Sequence, residues 1–83
     1  MRNVKMRQLH EALLRLGFSE PEQRGVHVVY RHDESATLVV LPRLGPSESV
    51  GRARLGAVRL SVIGREVATP EAFDDALEAV HAA

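Results

Sequence analysis

The sequence predicts a small α+β domain whose elements run α-β-β-β-α-α around a three-stranded antiparallel sheet. Three observations predict it. Residues 4–16 repeat apolar side chains at helical spacing. Residues 26–31 and 36–41 are short runs rich in β-branched residues, close enough in sequence to pair as a hairpin. Residues 70–81 carry a second apolar helical stripe behind a clear start signal. With 83 residues, the chain has room for a single domain, 1–83, and a modest core.

In the first helix, Met6, Leu9, Leu13 and Leu16 form one stripe, which Ala12 and Leu14 widen. Gly17 stands where a helix commonly ends in a left-handed residue, and Phe18 can fold back onto the last turn. Residues 18–23 are a weak strand at best. Pro21 cannot donate to a ladder, so a strand here lies at an edge or begins after it. Residues 26–31 form the central strand, with Gly25 as a bend or bulge before it. The turn His32-Asp33-Glu34-Ser35 contains no glycine, which argues against a tight two-residue primed turn. The next strand, 36–41, stops at Pro42, and Pro, Gly and Ser make 42–51 a loop. Val58, Leu60 and Val62 alternate like a strand, whereas Leu55, Val58, Val62, Ile63 and Val67 repeat like a helix. Length favours a helix over about 55–67. Thr69, Pro70 and Glu71 then supply an N-cap, a first-turn proline and a first-turn acid for a helix over 70–81.

Composition narrows the function. There is no cysteine, so disulfides and thiolate metal sites are excluded. Tyr30, Phe18 and Phe73 are the only aromatics, too few for a base-stacking platform. No apolar run approaches the roughly 18 residues of a membrane span, and the N-terminus leads into an amphipathic helix rather than a signal sequence. The expectation is a cytoplasmic soluble domain with no membrane partner. The net charge of zero hides a split: residues 1–65 carry +5 and residues 66–83 carry −5. A basic body with an acidic last helix either binds a polyanion on one side or pairs with itself.

The chemistry centres on Arg24-Gly25-Val26-His27-Val28-Val29-Tyr30-Arg31-His32. Strand alternation places His27, Val29 and Arg31 on one face and Val26, Val28, Tyr30 and His32 on the other. An imidazole and a guanidinium on one face can hold a phosphate and move a proton beside it. His27 is the candidate general acid/base, because its pKa can sit near neutrality. Arg24, Arg31 and Arg43 flank it in sequence and can grip phosphate oxygens bidentately. His32 faces the opposite way and reads as turn surface. His10 and His81 have no evident partners and are expected to face solvent. No metal ligand set and no small-molecule cofactor is expected.

Several of these segments resemble the HicA toxins (YcfA-like) of bacterial toxin–antitoxin pairs. Lys5 to Phe18 resembles that family's opening, a basic amphipathic helix closing in Gly-Phe. Arg24 to His32 resembles its signature of a basic residue, Gly, a small residue and His, then an aromatic. Ala36 to Pro42 followed by Arg43 resembles its next strand. Ser61-Val62-Ile63 and Thr69-Pro70-Glu71-Ala72-Phe73 resemble its C-terminal part. The match covers most of the chain outside about 44–56. The resemblance implies a double-stranded-RNA-binding-domain-like α-β-β-β-α fold, here with an extra C-terminal helix. It also implies mRNA cleavage by a single strand-borne histidine and a HicB-like antitoxin as partner. Carried over residue by residue, His27 takes the family's catalytic position and Gly25 its glycine. The expected substrate-binding residues are Arg24, Gly25, Arg31 and Arg43, the arginines from their place beside His27 in the chain.

There are departures. Val26 stands where the family usually has Ser or another small residue, and Leu44 stands where a His commonly follows Pro-Arg. The loop after Pro42 is long, and the chain lacks the family's basic balance. Two readings follow. The first is a ribonuclease toxin working through His27 without a metal. The second is a catalytically decayed domain of the same fold that binds protein or RNA.

Overall fold

The computed structural model of the chain describes residues 3–82, with the side chains of residues 81 and 82 excepted. His81 therefore lies outside the described side chains. The elements are α1 (Met6–Arg15), β1 (Glu22–Arg24), β2 (His27–His32), β3 (Thr37–Pro42), α2 (Arg52–Gly64) and α3 (Pro70–Ala82). The three strands form one antiparallel sheet in the order β1-β2-β3. The α-β-β-β-α order, the three-stranded antiparallel sheet and the extra C-terminal helix agree with the expected fold class.

The helices lie on one face of the sheet and leave the other open. Leu9 and Leu13 of α1, Val58 and Val62 of α2 and Phe73 of α3 share one buried cluster with Tyr30, Val39 and Leu41 of the sheet. In β3 the burial alternates strictly: Thr37, Val39 and Leu41 are buried, whereas Leu38 and Val40 are exposed. Such alternation is the signature of a sheet covered on one side only. Helices α1 and α3 pack together, and each buries an alanine, Ala12 and Ala76.

Helix α1 ends as its sequence predicts. Gly17 adopts φ +97, the Phe18 N–H bonds the Leu13 carbonyl at 3.0 Å, and the Gly17 N–H bonds the Leu14 carbonyl at 3.1 Å. This is a Schellman motif, closed by the buried Phe18 folding back over Leu13. Its start is less conventional. No side chain of a capping type precedes it, and the loop after β3 supplies the missing acceptors. The Glu48 and Pro46 carbonyls accept the Met6 and Arg7 N–H groups at 2.8 and 3.1 Å. The Gln8 side chain turns back to accept the Lys5 N–H at 3.0 Å.

The ambiguous segment is helical, and it begins and ends three residues earlier than expected. Leu55, Val58 and Val62 point inward, while Leu60 is 73% exposed, so the strand-like alternation is incidental. This helix also ends in a Schellman motif: the Val67 and Glu66 N–H groups bond the Val62 and Ile63 carbonyls, both at 3.0 Å. Here the left-handed position is held by Glu66 at φ +60 rather than by glycine. Arg65, just before it, reaches the β2–β3 turn through the Ala36 carbonyl at 3.3 Å and Thr37 Oγ1 at 3.4 Å. Helix α3 starts as predicted, with Thr69 Oγ1 accepting the Ala72 N–H at 3.0 Å. Asp74 of α3 takes Arg59 of α2 through two N–H···O bonds of 3.0 Å, which hold its carboxyl below the usual carboxylate range. The acidic helix thus pairs with one of the three α2 arginines, on the helical side of the molecule and away from the open sheet face.

Two stability predictions follow from this packing. Leu13 is fully buried, so Leu13→Ala should cost about 2–5 kcal/mol in denaturant unfolding. Glu66→Gly should stabilise the protein by about 0.5–1 kcal/mol by relieving a left-handed non-glycine residue, whereas Gly17→Ala in the equivalent motif should destabilise it.

Candidate active site

The site is built on the β1–β2 hairpin. Arg24 pairs with His27, so Gly25 and Val26 form a two-residue turn between them. Gly25 has φ +63 and Val26 does not share a positive φ, the arrangement of a type II′ turn with glycine first. Gly25 thus lies before the central strand as expected, in a tight turn rather than a bulge, and Val26 belongs to that turn, so β2 starts at His27 rather than at residue 26. A Cβ at Gly25 would meet nothing within 4 Å, so its backbone is open to an approaching ligand. Val26 is 72% exposed at the tip. Its carbonyl accepts the Arg43 N–H at 2.8 Å, which anchors the turn to the chain leaving β3.

From His27 onward strand alternation is as the sequence predicts, whereas Val26, expected on the face of Tyr30, sits in the turn. His27, Val29 and Arg31 face the open side, and Val28, Tyr30 and His32 face the helices. His27 is paired on both sides, with Arg24 on β1 and Pro42 on β3. Its backbone is fixed by the sheet while its imidazole is exposed, with no hydrogen-bond partner among the described residues. An imidazole with both nitrogens available on a rigid strand is suited to proton transfer.

The structure gathers some of the predicted basic residues here and not others. Arg24 lies directly across from His27, at the ~5 Å Cβ spacing of a cross-strand pair. Its guanidinium is bonded to Glu22 Oε1 through both Nε and Nη2 at 2.6 Å. That exposed pair is worth little, so a phosphate can compete for Arg24. Arg43 lies one residue past the β3 ladder, opposite the turn. Arg31 does share the face, but it stands four residues along β2, roughly 13 Å away at strand rise. Arg31 and His27 therefore do not converge on a single phosphate.

The other histidines differ from expectation. His10 does not stand free in solvent. Its Nδ1 is 2.8 Å from the Tyr30 hydroxyl, its Nε2 is 3.9 Å from Glu20, and its ring meets Tyr30 edge-on. His32 is half-buried, stacked obliquely on Phe18 and bonded through Nδ1 to Ser35 Oγ at 2.7 Å. Both are structural partners on the helical side. Sequence reasoning missed the His10–Tyr30 pair. The one available signal was that His10 lies four residues after Met6 and three before Leu13, at the margin of the buried stripe. Leu44 also lies on that side, lining a groove of about 300 Å³ with Met6, His10, Val28 and Tyr30. Among the described residues, no three His, Asp or Glu side chains gather as a metal ligand set, and no helix is long and apolar enough to cross a membrane.

Tyr30 is nearly fully buried, and burial, with a smaller push from Glu20, raises its hydroxyl to about 12. The unfolded chain ionises this tyrosine near pH 10. Between the two values the folded state binds more protons, so stability is full below pH 10 and falls as pH rises from 10 to 12. Tyr30 is the sole tyrosine and there is no tryptophan, so tyrosinate absorbance reports this group alone. Its midpoint should fall near 12 in the folded protein and drop when urea unfolds the chain. No family model, no curated protein and no solved structure matches this chain.

Proposed function

We propose that this protein is a small metal-independent endoribonuclease of the HicA toxin type, acting on mRNA through His27 and restrained by a HicB-like antitoxin. The observation that carries this reading is the placement of His27: exposed and unpartnered, fixed between two strands, opposite Arg24 and next to the open backbone of Gly25. In the proposed reaction, neutral His27 takes the proton of a ribose 2′-hydroxyl as that oxygen attacks the adjacent phosphorus. The bond to the 5′-oxygen breaks, and the imidazolium returns the proton to the leaving oxygen. Arg24, drawn from Glu22, offsets charge building on the phosphate oxygens. Arg43 and the Gly25 backbone position the strand, with Arg31 farther along it.

A second reading is favoured by a specific observation. The open face carries exposed Leu38 and Val40, and Arg24 is already neutralised by Glu22, features that suit a binding domain without cleavage. The two are separated by assaying purified protein on RNA in EDTA. For the first reading, wild-type protein cuts RNA without divalent metal. His27→Ala keeps the fold and loses about 10²–10⁴ in rate, and His32→Ala retains cleavage if its fold holds. Expression of the wild type should slow growth and His27→Ala should not. A wild-type protein that cuts no RNA and leaves growth untouched overturns the nuclease and leaves the binding domain.

A further inference from the structure

The two edges of the sheet are not equivalent. Edge strand β1 is only three residues long, follows Pro21 and carries Glu22 and Arg24. Short length, proline and charge are the usual means of keeping a sheet edge from pairing with another chain. Edge strand β3 has none of these over Thr37–Leu41: it is regular, uncharged and ends in proline only at residue 42. Its outward side chains, Leu38 and Val40, are 52% and 56% exposed.

The free backbone groups of β3 can be assigned. The Arg31 carbonyl accepts the Ser19 N–H at 2.8 Å, and the Arg31 N–H bonds Ser19 Oγ, so Arg31 directs its backbone away from β3. Arg31↔Leu38 is therefore a non-hydrogen-bonded pair, and so is Val29↔Val40, two residues on. It follows that Leu38 and Val40 direct their N–H and C=O groups away from β2, to the open edge. Neither residue takes part in any other backbone hydrogen bond among the described residues.

We infer that β3 is a self-association edge, at which a second copy of this chain pairs antiparallel about a two-fold axis at Val39. In that register Leu38 of one copy and Val40 of the other exchange both backbone hydrogen bonds, and the reciprocal pair does the same. The four outward N–H and C=O groups of Leu38 and Val40 on each copy are then satisfied. Leu38 also lies beside Val40 of the other copy on the open face. The charges select a second copy over an unrelated strand. Asp33 and Glu34 precede β3, and Arg43 follows it. The two-fold axis brings Arg43 of each copy opposite Ser35 of the other, one residue from Glu34. A net charge of zero leaves no long-range repulsion to oppose the encounter. The product is a six-stranded sheet with one continuous open face. An interface of four backbone bonds and a few apolar side chains is small, so the dimer belongs to the weak class.

Sedimentation equilibrium of the full chain from about 10 µM to about 1 mM, a range suited to weak complexes, tests this. The expected result is a reversible rise from the 9.1 kDa chain mass toward twice that value. Val40→Pro removes an outward N–H from an edge position where proline is tolerated, and Val40→Lys places a charge on that edge. Each should weaken association at least about tenfold, equal to 1.4 kcal/mol, with the fold checked by circular dichroism. Arg43→Glu should also weaken it, and adding Glu34→Arg should restore it. A wild-type protein that stays monomeric throughout overturns the inference. So does a dimer indifferent to both Val40 variants, or an Arg43→Glu defect that Glu34→Arg leaves unrepaired.

Discussion

The burial of Tyr30 at the centre of β2 fixes the register of the sheet and, with it, everything on the open face. Strand side chains alternate, so a slip of one residue would turn Tyr30 out and drive Val29, or worse Arg31 and His27, into the core. Losing one large buried aromatic costs several kcal/mol, and burying a charged guanidinium without a partner costs more. The His10–Tyr30 hydrogen bond adds a directional restraint, because the hydroxyl must meet a nitrogen at a fixed point on α1. The exposure of His27 thus follows from the burial of its neighbour three residues along.

The helical side is secured by the chain's own backbone as much as by its side chains. The segment after β3 returns to α1, donates the Val50 N–H to the Val4 carbonyl and accepts the first N–H groups of the helix. A stretch composed like an ordinary loop therefore serves as the cap that the sequence before α1 does not provide. Two non-glycine residues, Ala36 and Glu66, take left-handed conformations where glycine would be easier. Arg65 links these two sites by bonding the Ala36 carbonyl from the residue adjoining Glu66. The strain lies at the contact between α2 and the β2–β3 turn.

Much of this was legible in the sequence, because it rests on local rules. The Met6, Leu9 and Leu13 stripe, the Gly17 terminus, the Thr69-Pro70 start and the two faces of β2 depend on residues within a turn or two of each other. The start of β1 after Pro21 and the longer β2–β3 turn were also readable. What escaped was tertiary. Gly25 has the same composition signal as a bulge or a turn, and only the pairing of Arg24 with His27 decides between them. The separation of Arg31 from His27, by contrast, was legible once the strand was assigned, since four residues at strand rise span roughly 13 Å. His10 reads as solvated until Tyr30, twenty positions away, is placed beneath it. Leu55 to Val67 satisfied two periodicities at once; length already favoured the helix, and the exposure of Leu60 shows why the alternation was incidental.

One-sided coverage of the sheet has a consequence for how this protein can diverge. His27, Arg31, Leu38 and Val40 add almost nothing to the core, and surface changes of that kind usually shift stability by no more than about 0.5 kcal/mol. Substitutions there are nearly free to accumulate, whereas those at Tyr30, Val39 and Leu41 are not. The open face is a writing surface on a conserved-volume scaffold: its chemistry can be lost, exchanged or regained while the fold beneath persists. Stability selection alone would therefore leave no record on this face.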